Sequence, residues 1–488
     1  MPTAMALVGP PPLSTNPLPR LWRDVRRERT APVPYPPGDA NFSVSRTKGM
    51  LRDPLRILLD AYERHGPVFT LRVLHDKSVF MLGPQANHYM TVSHARSFSW
   101  RDGFLGDLSP LLGDGLLTID GEFHRRSRAI MLPAFHHERI AASAATVVVE
   151  VERALDDWQI GQTVDLYAWT RELALRVAMR ALFGLDPDSA GARTDVAREF
   201  ERGLSYFSRD YVLQILRGPG TPFHRMRLAK AQLDRVIFAE IARRRATGQR
   251  GEDVLSLLLD ARDEDGGALS DQHVRDEVMT LLFAGHDTTT STVSFLFHEL
   301  CRHPAAMAEL IAEQDETLGQ ELGAEHLSGS ALPALERAIE ETLRLYPAAW
   351  IGPRRAIESF EFAGRTVPAG APVNYCSWAS HRLPDVWDEP AEFRPERWLP
   401  DARARIPKGA YVPFGGGSRT CIGMRFGQME VKAIVTRLLQ RFHPELKPGR
   451  TMTVRQMPTL SPRGGMSMVL RERVAAKRAV AGSLESKT

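Results

Sequence analysis

The sequence predicts a mainly α fold with small β-sheets, built as a single large domain. Three observations carry that expectation. Past residue 85 apolar residues recur at helical spacing for most of the chain, strand-like runs are short and few, and strands do not alternate with helices as a parallel α/β sheet would require. The 488 residues would suggest roughly three domains by length. No Gly/Ser linker or composition break divides the middle, so one core-rich domain over 41–472 is expected.

Taken in order, residues 1–40 are rich in proline (Pro10, Pro11, Pro12, Pro17, Pro19, Pro32, Pro34, Pro36 and Pro37), which reads as an extended or mobile leader. Within it Leu18, Leu21, Trp22 and Val25 have helical spacing with arginines between, the pattern of a packed or mobile arm. A helix is expected over Leu51–His65, closed by Gly66-Pro67, followed by paired strands at Val68–Val73 and Ser78–Leu82. Strand signals return at Phe360–Phe362, Val367, Pro372–Tyr375 and Met466–Leu470. Residues 473–488 read as a basic mobile tail.

Composition removes several function classes. A net charge of +4, without a Lys/Arg run interleaved with aromatics, argues against nucleic acid. No stretch approaches the ~18 apolar residues of a membrane span, and the first residues lack a secretory pattern, so no transmembrane anchor and a cytoplasmic location are expected. Cys301, Cys376 and Cys421 are odd in number and irregularly spaced, which fits a reducing compartment and no disulfide framework.

The most informative stretch is Phe414-Gly415-Gly416-Gly417-Ser418-Arg419-Thr420-Cys421-Ile422-Gly423. Its glycines permit a close approach to a flat ligand and deliver the chain to one cysteine just ahead of a helix. Arg419 and the helix N-terminus are both expected to favour a thiolate. A phosphate loop would need Gly-Lys-Ser/Thr where Ser418-Arg419-Thr420 stands, and a zinc site would need clustered cysteines. A cysteine nucleophile is the remaining alternative from these residues alone.

A second stretch breaks a local rule. Val278–Ala284 is apolar nearly all round, as in a helix through a core, yet Gly285, Asp287, Thr288 and Thr289 follow, poor residues for a helix interior. Small Ala284 and Gly285 leave room for a ligand against the helix. Asp287 and Thr288 can loosen its hydrogen-bond ladder and place a carboxylate and a hydroxyl in the gap.

Phe414, Gly417, Arg419, Cys421 and Gly423 fill every fixed position of the signature of the haem-thiolate monooxygenases, and the chain resembles that cytochrome P-450 family. The resemblance implies haem b with Cys421 as the axial iron ligand, Phe414 shielding the sulfur, and dioxygen as co-substrate. Ala284, Gly285, Asp287 and Thr288 match the family's oxygen-side motif, which implies a proton relay through Asp287 and Thr288. His124 and Arg128 match its propionate-binding pair, joined by Arg419 and by Arg354, with Arg355 as rival. Glu341, Arg344 and Arg397 would form its buried structural triad. Phe98, Trp100, Phe104, Phe207, Leu282, Phe283, Ala349, Trp350 and Leu460 are the expected substrate pocket.

An apolar pocket implies a hydrophobic substrate such as a terpenoid, steroid, fatty acyl or polyketide compound. No segment reads as a flavin, nicotinamide or iron–sulfur site, so two electrons must come from a separate donor, a ferredoxin or flavodoxin with its NAD(P)H reductase. Lys408, Arg419, Arg425, Lys432 and Arg437 cluster by sequence on the thiolate side and are expected to dock it. A monomer is expected. A haem-binding sensor or carrier without turnover is the rival of another class, and it has no need of Asp287 and Thr288.

Overall fold

The computed structural model describes residues 16–185, 195–207, 209, 211–249, 251, 253–262, 267–318, 321–449 and 451–473. It is mainly helical with small sheets. The long helix Asp271–Arg302 runs through the centre, with Val293, Phe295, Leu296, Phe297 and Leu300 fully buried. Around it pack the helices Leu166–Val177, Pro333–Leu345 and Met424–Arg441. Ser270 caps its start by accepting from the His273 N–H, seven residues before the start expected from sequence. The helix continues unbroken through Gly285–Thr292, so no loosened ladder forms there. Thr288, Thr290 and Thr292 each turn their hydroxyls back onto the carbonyl four residues earlier, which satisfies them without opening the helix.

Six short strands form the main sheet, in the order Gly38–Asp39, Val68–Val73, Asp76–Met81, Pro372–Tyr375, Gly352–Ala356 and Phe98–Ser99. A three-stranded sheet joins Phe442–Leu446, Ser467–Glu472 and Thr163–Asp165, and two-stranded ribbons pair Phe360–Phe362 with Arg365–Val367 and Val454–Arg455 with Ser461–Pro462. The expected helix over Leu51–His65 is two helices, Val44–Arg52 and Pro54–His65. Pro54 lacks the N–H that would continue the first, and Asp53 caps the second through the Arg56 N–H.

The leader also departs from expectation. Pro17–Arg29 is a helix, with Asn16 as its cap and its prolines in the first turn, where their missing N–H groups have no helical partner to lose. It is tied down by Arg20 to Asp107, by Asp24 to Arg355 Nη2 at 2.9 Å and by Glu28 to Arg72. Leu18 and Trp22 face outward instead of packing. The rest of the leader before residue 16 and the tail after 473 lie outside the described residues.

Candidate active site

The cysteine loop is positioned from both sides. The Cys421 N–H donates to Phe414 O at 2.9 Å, closing the turn, and the helix Met424–Arg441 starts immediately after its N-cap residue, Gly423. A Cβ on Gly416 would stand 2.6 Å from Thr91 Oγ1 and one on Gly417 2.3 Å from Thr91 O, so only glycine lets the loop lie against this segment. Behind the loop, Glu341 and Arg344 form a bidentate pair with no exposure, and Arg397 Nε reaches Glu341 at 3.3 Å. Arg344 also donates to the carbonyls of His381, Pro390 and Glu392. His381 completes the link: its Nε2 accepts from the Val412 N–H at 2.9 Å.

Cys421 and Ala284 sit deep in the molecule yet are exposed, because both face one cavity of about 330 Å³. Phe414, Gly415, Gly416 and Cys421 line one wall, and Ala284, Thr288, Thr289 and Thr292 of the long helix line the same cavity. Gly285 and Gly423 flank these walls without lining them, and an added Cβ at Gly285 would meet no atom within 4 Å.

The charged edge is more crowded than the sequence suggests. His124, Arg128, Arg354 and Arg419 all line the cavity. Arg354 and Arg355 are consecutive on a strand and point to opposite faces. Arg354 enters the cavity, whereas Arg355 bonds Asp24, Asp102 O and Gly370 O. Arg419 Nη2 donates to Asp120 Oδ1 at 2.8 Å and to Ile119 O. Burial, with help from Arg419 and Arg128, pushes His124 down to about 3, so it is a neutral hydrogen-bonding partner and not a cation.

Arg419 is therefore not what favours the thiolate. Burial pushes the Cys421 thiol up, opposed by the Gly423 N–H and by Arg128, the cation beside it. Arg128 Nη2 donates to Thr420 O at 2.7 Å. A metal at the sulfur would act against the upward shift of the thiol by favouring the ionised form.

Asp287 faces away from the cavity. Its Oδ1 lies 3.2 Å from Arg171 Nη2 and 3.4 Å from His286 Nδ1, but neither contact is aligned as a hydrogen bond and both carboxylate oxygens stay unsatisfied and buried. Arg171 Nε donates to Glu201 Oε1 at 2.6 Å, and His286 Nε2 lies 3.1 Å from the same oxygen. Arg171 and Glu201 line a second cavity of about 300 Å³, and Pro458 borders both cavities. His286 carried no role in the sequence, and Arg171 and Glu201 carried no signal there, since folding alone brings Arg171 to Asp287 and Glu201 to Arg171 and His286.

Five of the nine residues expected in the pocket, Trp100, Phe104, Phe283, Ala349 and Trp350, line the cavity. Phe98 packs instead on Phe360 and Tyr89, Phe207 on Tyr206, and Leu282 and Leu460 are core residues whose neighbours Leu281 and Met457–Thr459 take the wall. The docking cluster is also reduced. Lys432 bonds Glu336 and Gly329 O inside the protein, Arg437 pairs with Glu152, and Arg419 is turned inward, leaving Lys408 and Arg425 exposed.

The residues fit a haem. Open space lies between a sulfur and a helix wall of small side chains, cations gather at its edge, and among the described residues no three His, Cys, Asp or Glu side chains cluster as a metal site. A metal at Cys421 must bring its other ligands with it, as a porphyrin does.

This arrangement defines a haem-thiolate oxygenase. A family model described as Cytochrome P450 matches residues 43–468. The chain is 35% identical to cyclooctat-9-en-7-ol 5-monooxygenase of Streptomyces melanosporofaciens over 86% of this chain and 92% of that one. It is 33% identical to cyclooctatin synthase of the same organism, over 84% and 90%. The solved structure described as retinoic acid bound cyanobacterial CYP120A1 superposes with a TM-score of 0.80 at 30% identity, over 90% of this chain and 99% of that one. The chain belongs to the cytochrome P450 family and is a haem-iron monooxygenase of hydrophobic substrates. In general the family takes its electrons from a separate redox partner. Among the described residues no helix is long and apolar enough to cross a membrane.

Proposed function

We propose that the protein oxidises a terpenoid, by default inserting one oxygen atom of O₂ into an unactivated C–H bond and reducing the other to water. The observation that carries this is the placement of Cys421 and Thr288 on the walls of one apolar cavity. The similar proteins are named for a ring alkenol and for retinoic acid, apolar carbon skeletons carrying an oxygen function. Phe104, Phe283, Ala349 and Trp350 offer such a skeleton an apolar surface that excludes water.

Haem b held by a cysteine thiolate supplies reductive activation of dioxygen, a property general to this family. The chain's own residues bind and protonate. With haem bound, Cys421 would ligate its iron with Phe414 and Gly423 beside the sulfur, Arg128, Arg354 and Arg419 would hold the carboxylates, and His124 would add a neutral hydrogen bond. Thr288 Oγ1 donates to Ala284 O at 2.6 Å, so its lone pairs are open to water in the cavity. Asp287 exchanges protons with solvent by way of His286 and of Glu201 at the second cavity, while Arg171, a permanent cation, only orients the two carboxylates.

The electron donor is an acidic ferredoxin or flavodoxin with its reductase, docking over the face that carries Arg425 and Lys408, in the cytoplasm. Thr288→Ala tests the reading: reductant consumption continues while product per electron pair falls. Coupling equal to the parent's removes the relay. A sensor or carrier would bind a lipophilic compound, change the haem absorbance and yield no product, so a screen of terpenoids read by absorbance and then by product separates the two readings.

A further inference from the structure

We infer that Trp100 is a positioning residue for the cofactor's carboxylates, its indole serving as the platform that aligns the Arg354 and Arg419 guanidiniums at one edge of the cavity. The inference rests on the reading of that cavity as a haem site. Sequence alone places Trp100 among the substrate-facing aromatics, but its ring is taken up by cations. Arg354 Cζ lies 3.4 Å from the ring centroid and Arg419 Cζ lies 4.8 Å from it. Both distances are within the range where a ring quadrupole attracts a cation.

Two guanidiniums drawn to one ring repel each other, and Asp120 offsets that repulsion. Its carboxylate accepts from Arg419 Nη2 and from the backbone N–H groups of Trp100 and Arg101, each near 3 Å. One side chain thus fixes both the platform and one of its two cations. Arg354 has no such carboxylate. Within the protein it bonds the carbonyl of Pro353 and the Tyr375 side chain, and the ring of Trp100 beneath its guanidinium completes the seat that sets its direction.

The charge at this edge also matches a haem. Arg128, Arg354 and Arg419 less the carboxylate of Asp120 leave two positive charges for two propionates. Removing the ring leaves the charges in place but loses their alignment.

The test is haem release from the purified holoenzyme into excess apomyoglobin, run with native haem and with haem whose propionates are methyl esters. Trp100→Leu should release native haem ~10-fold faster than the parent, with Trp100→Phe within about twofold because the π face is kept. The esterified haem should leave Trp100→Leu and the parent at equal rates, since the arginines then have no carboxylate to hold. Equal acceleration for both haems would mean that Trp100 only fills space and would overturn the inference. So would an unchanged rate for native haem, or a Phe variant as leaky as the Leu variant. Trp100→Met, which keeps bulk without a ring, replaces Leu in the comparison if the Leu variant does not fold. A parent protein that takes up no haem would sink the haem reading itself.

Discussion

Asp287 and Arg171 meet 3.2 Å apart on the side of the long helix turned away from the cavity that Thr288 lines. The acid and the alcohol of one motif therefore face different spaces. Asp287 answers to a charged cluster leading to solvent, and Thr288 answers to the ligand. Asp287→Asn should lower turnover ~100-fold and raise the solvent isotope effect. Arg171→Met, which leaves the acid but removes its cation, should have a smaller effect of the same kind, ~10-fold. Parent-like turnover and isotope effect in Arg171→Met would show that the cluster plays no part.

Glu430 gives a pH dependence of known sign. It is fully buried on the helix Met424–Arg441, accepts from Thr289 Oγ1 at 2.8 Å, and burial raises it to about 8. The folded state keeps the proton and the unfolded chain gives it up above the ordinary carboxyl range, so stability is full at low pH and is lost as pH rises toward 8. Glu277, also raised to about 8 by burial, acts in the same direction. Glu430→Gln should flatten part of the fall in melting temperature between pH 5 and pH 8. An identical fall in parent and variant would refute it.

The Glu341–Arg344 pair has no exposure, and breaking it leaves a buried charge. Glu341→Gln should cost about 3–5 kcal/mol and reduce the yield of folded haem protein. Glu340→Gln, which breaks the pair with half-exposed Arg403, should cost under about 1 kcal/mol. Comparable denaturation midpoints for the two variants would contradict the ranking.

Charge reversal at Arg425 should weaken the electron donor. Arg425→Glu is expected to raise the KM for an acidic ferredoxin ~10-fold at low salt and to leave the substrate absorbance titration unchanged. Reversal at buried Lys432 should reduce stability instead. A donor KM independent of both salt and residue 425 would move the docking face elsewhere.

What was legible in the sequence was whatever the chain brings together locally. The cysteine loop and the Ala284–Thr288 turn are contiguous, and Glu341 and Arg344 share one helix face. Strand alternation decides between Arg354 and Arg355 once the register is known. Partners from distant segments left no trace: Arg171 reaches Asp287 and Glu201 reaches His286 from other helices, and Asp120 meets Arg419 from 299 residues away along the chain. Apolar identity also does not say which way a side chain points. Leu281 and Leu282 differ by one step around the helix, and the first lines the cavity while the second packs in the core. Proline content misled at the leader because Pro17 and Pro19 fall in a first turn, where proline is tolerated.

His381 gives the Glu341–Arg344 pair its reach. Its Nε2 accepts from Val412, so Nδ1 carries the proton and points to Arg344 O at 3.2 Å, and burial lowers the ring to about 3. One hold on the turn leading to Cys421 is thus a single imidazole lone pair. Acid that claims this lone pair unhooks the turn without melting a helix, and pigment would bleach before the helical signal fades.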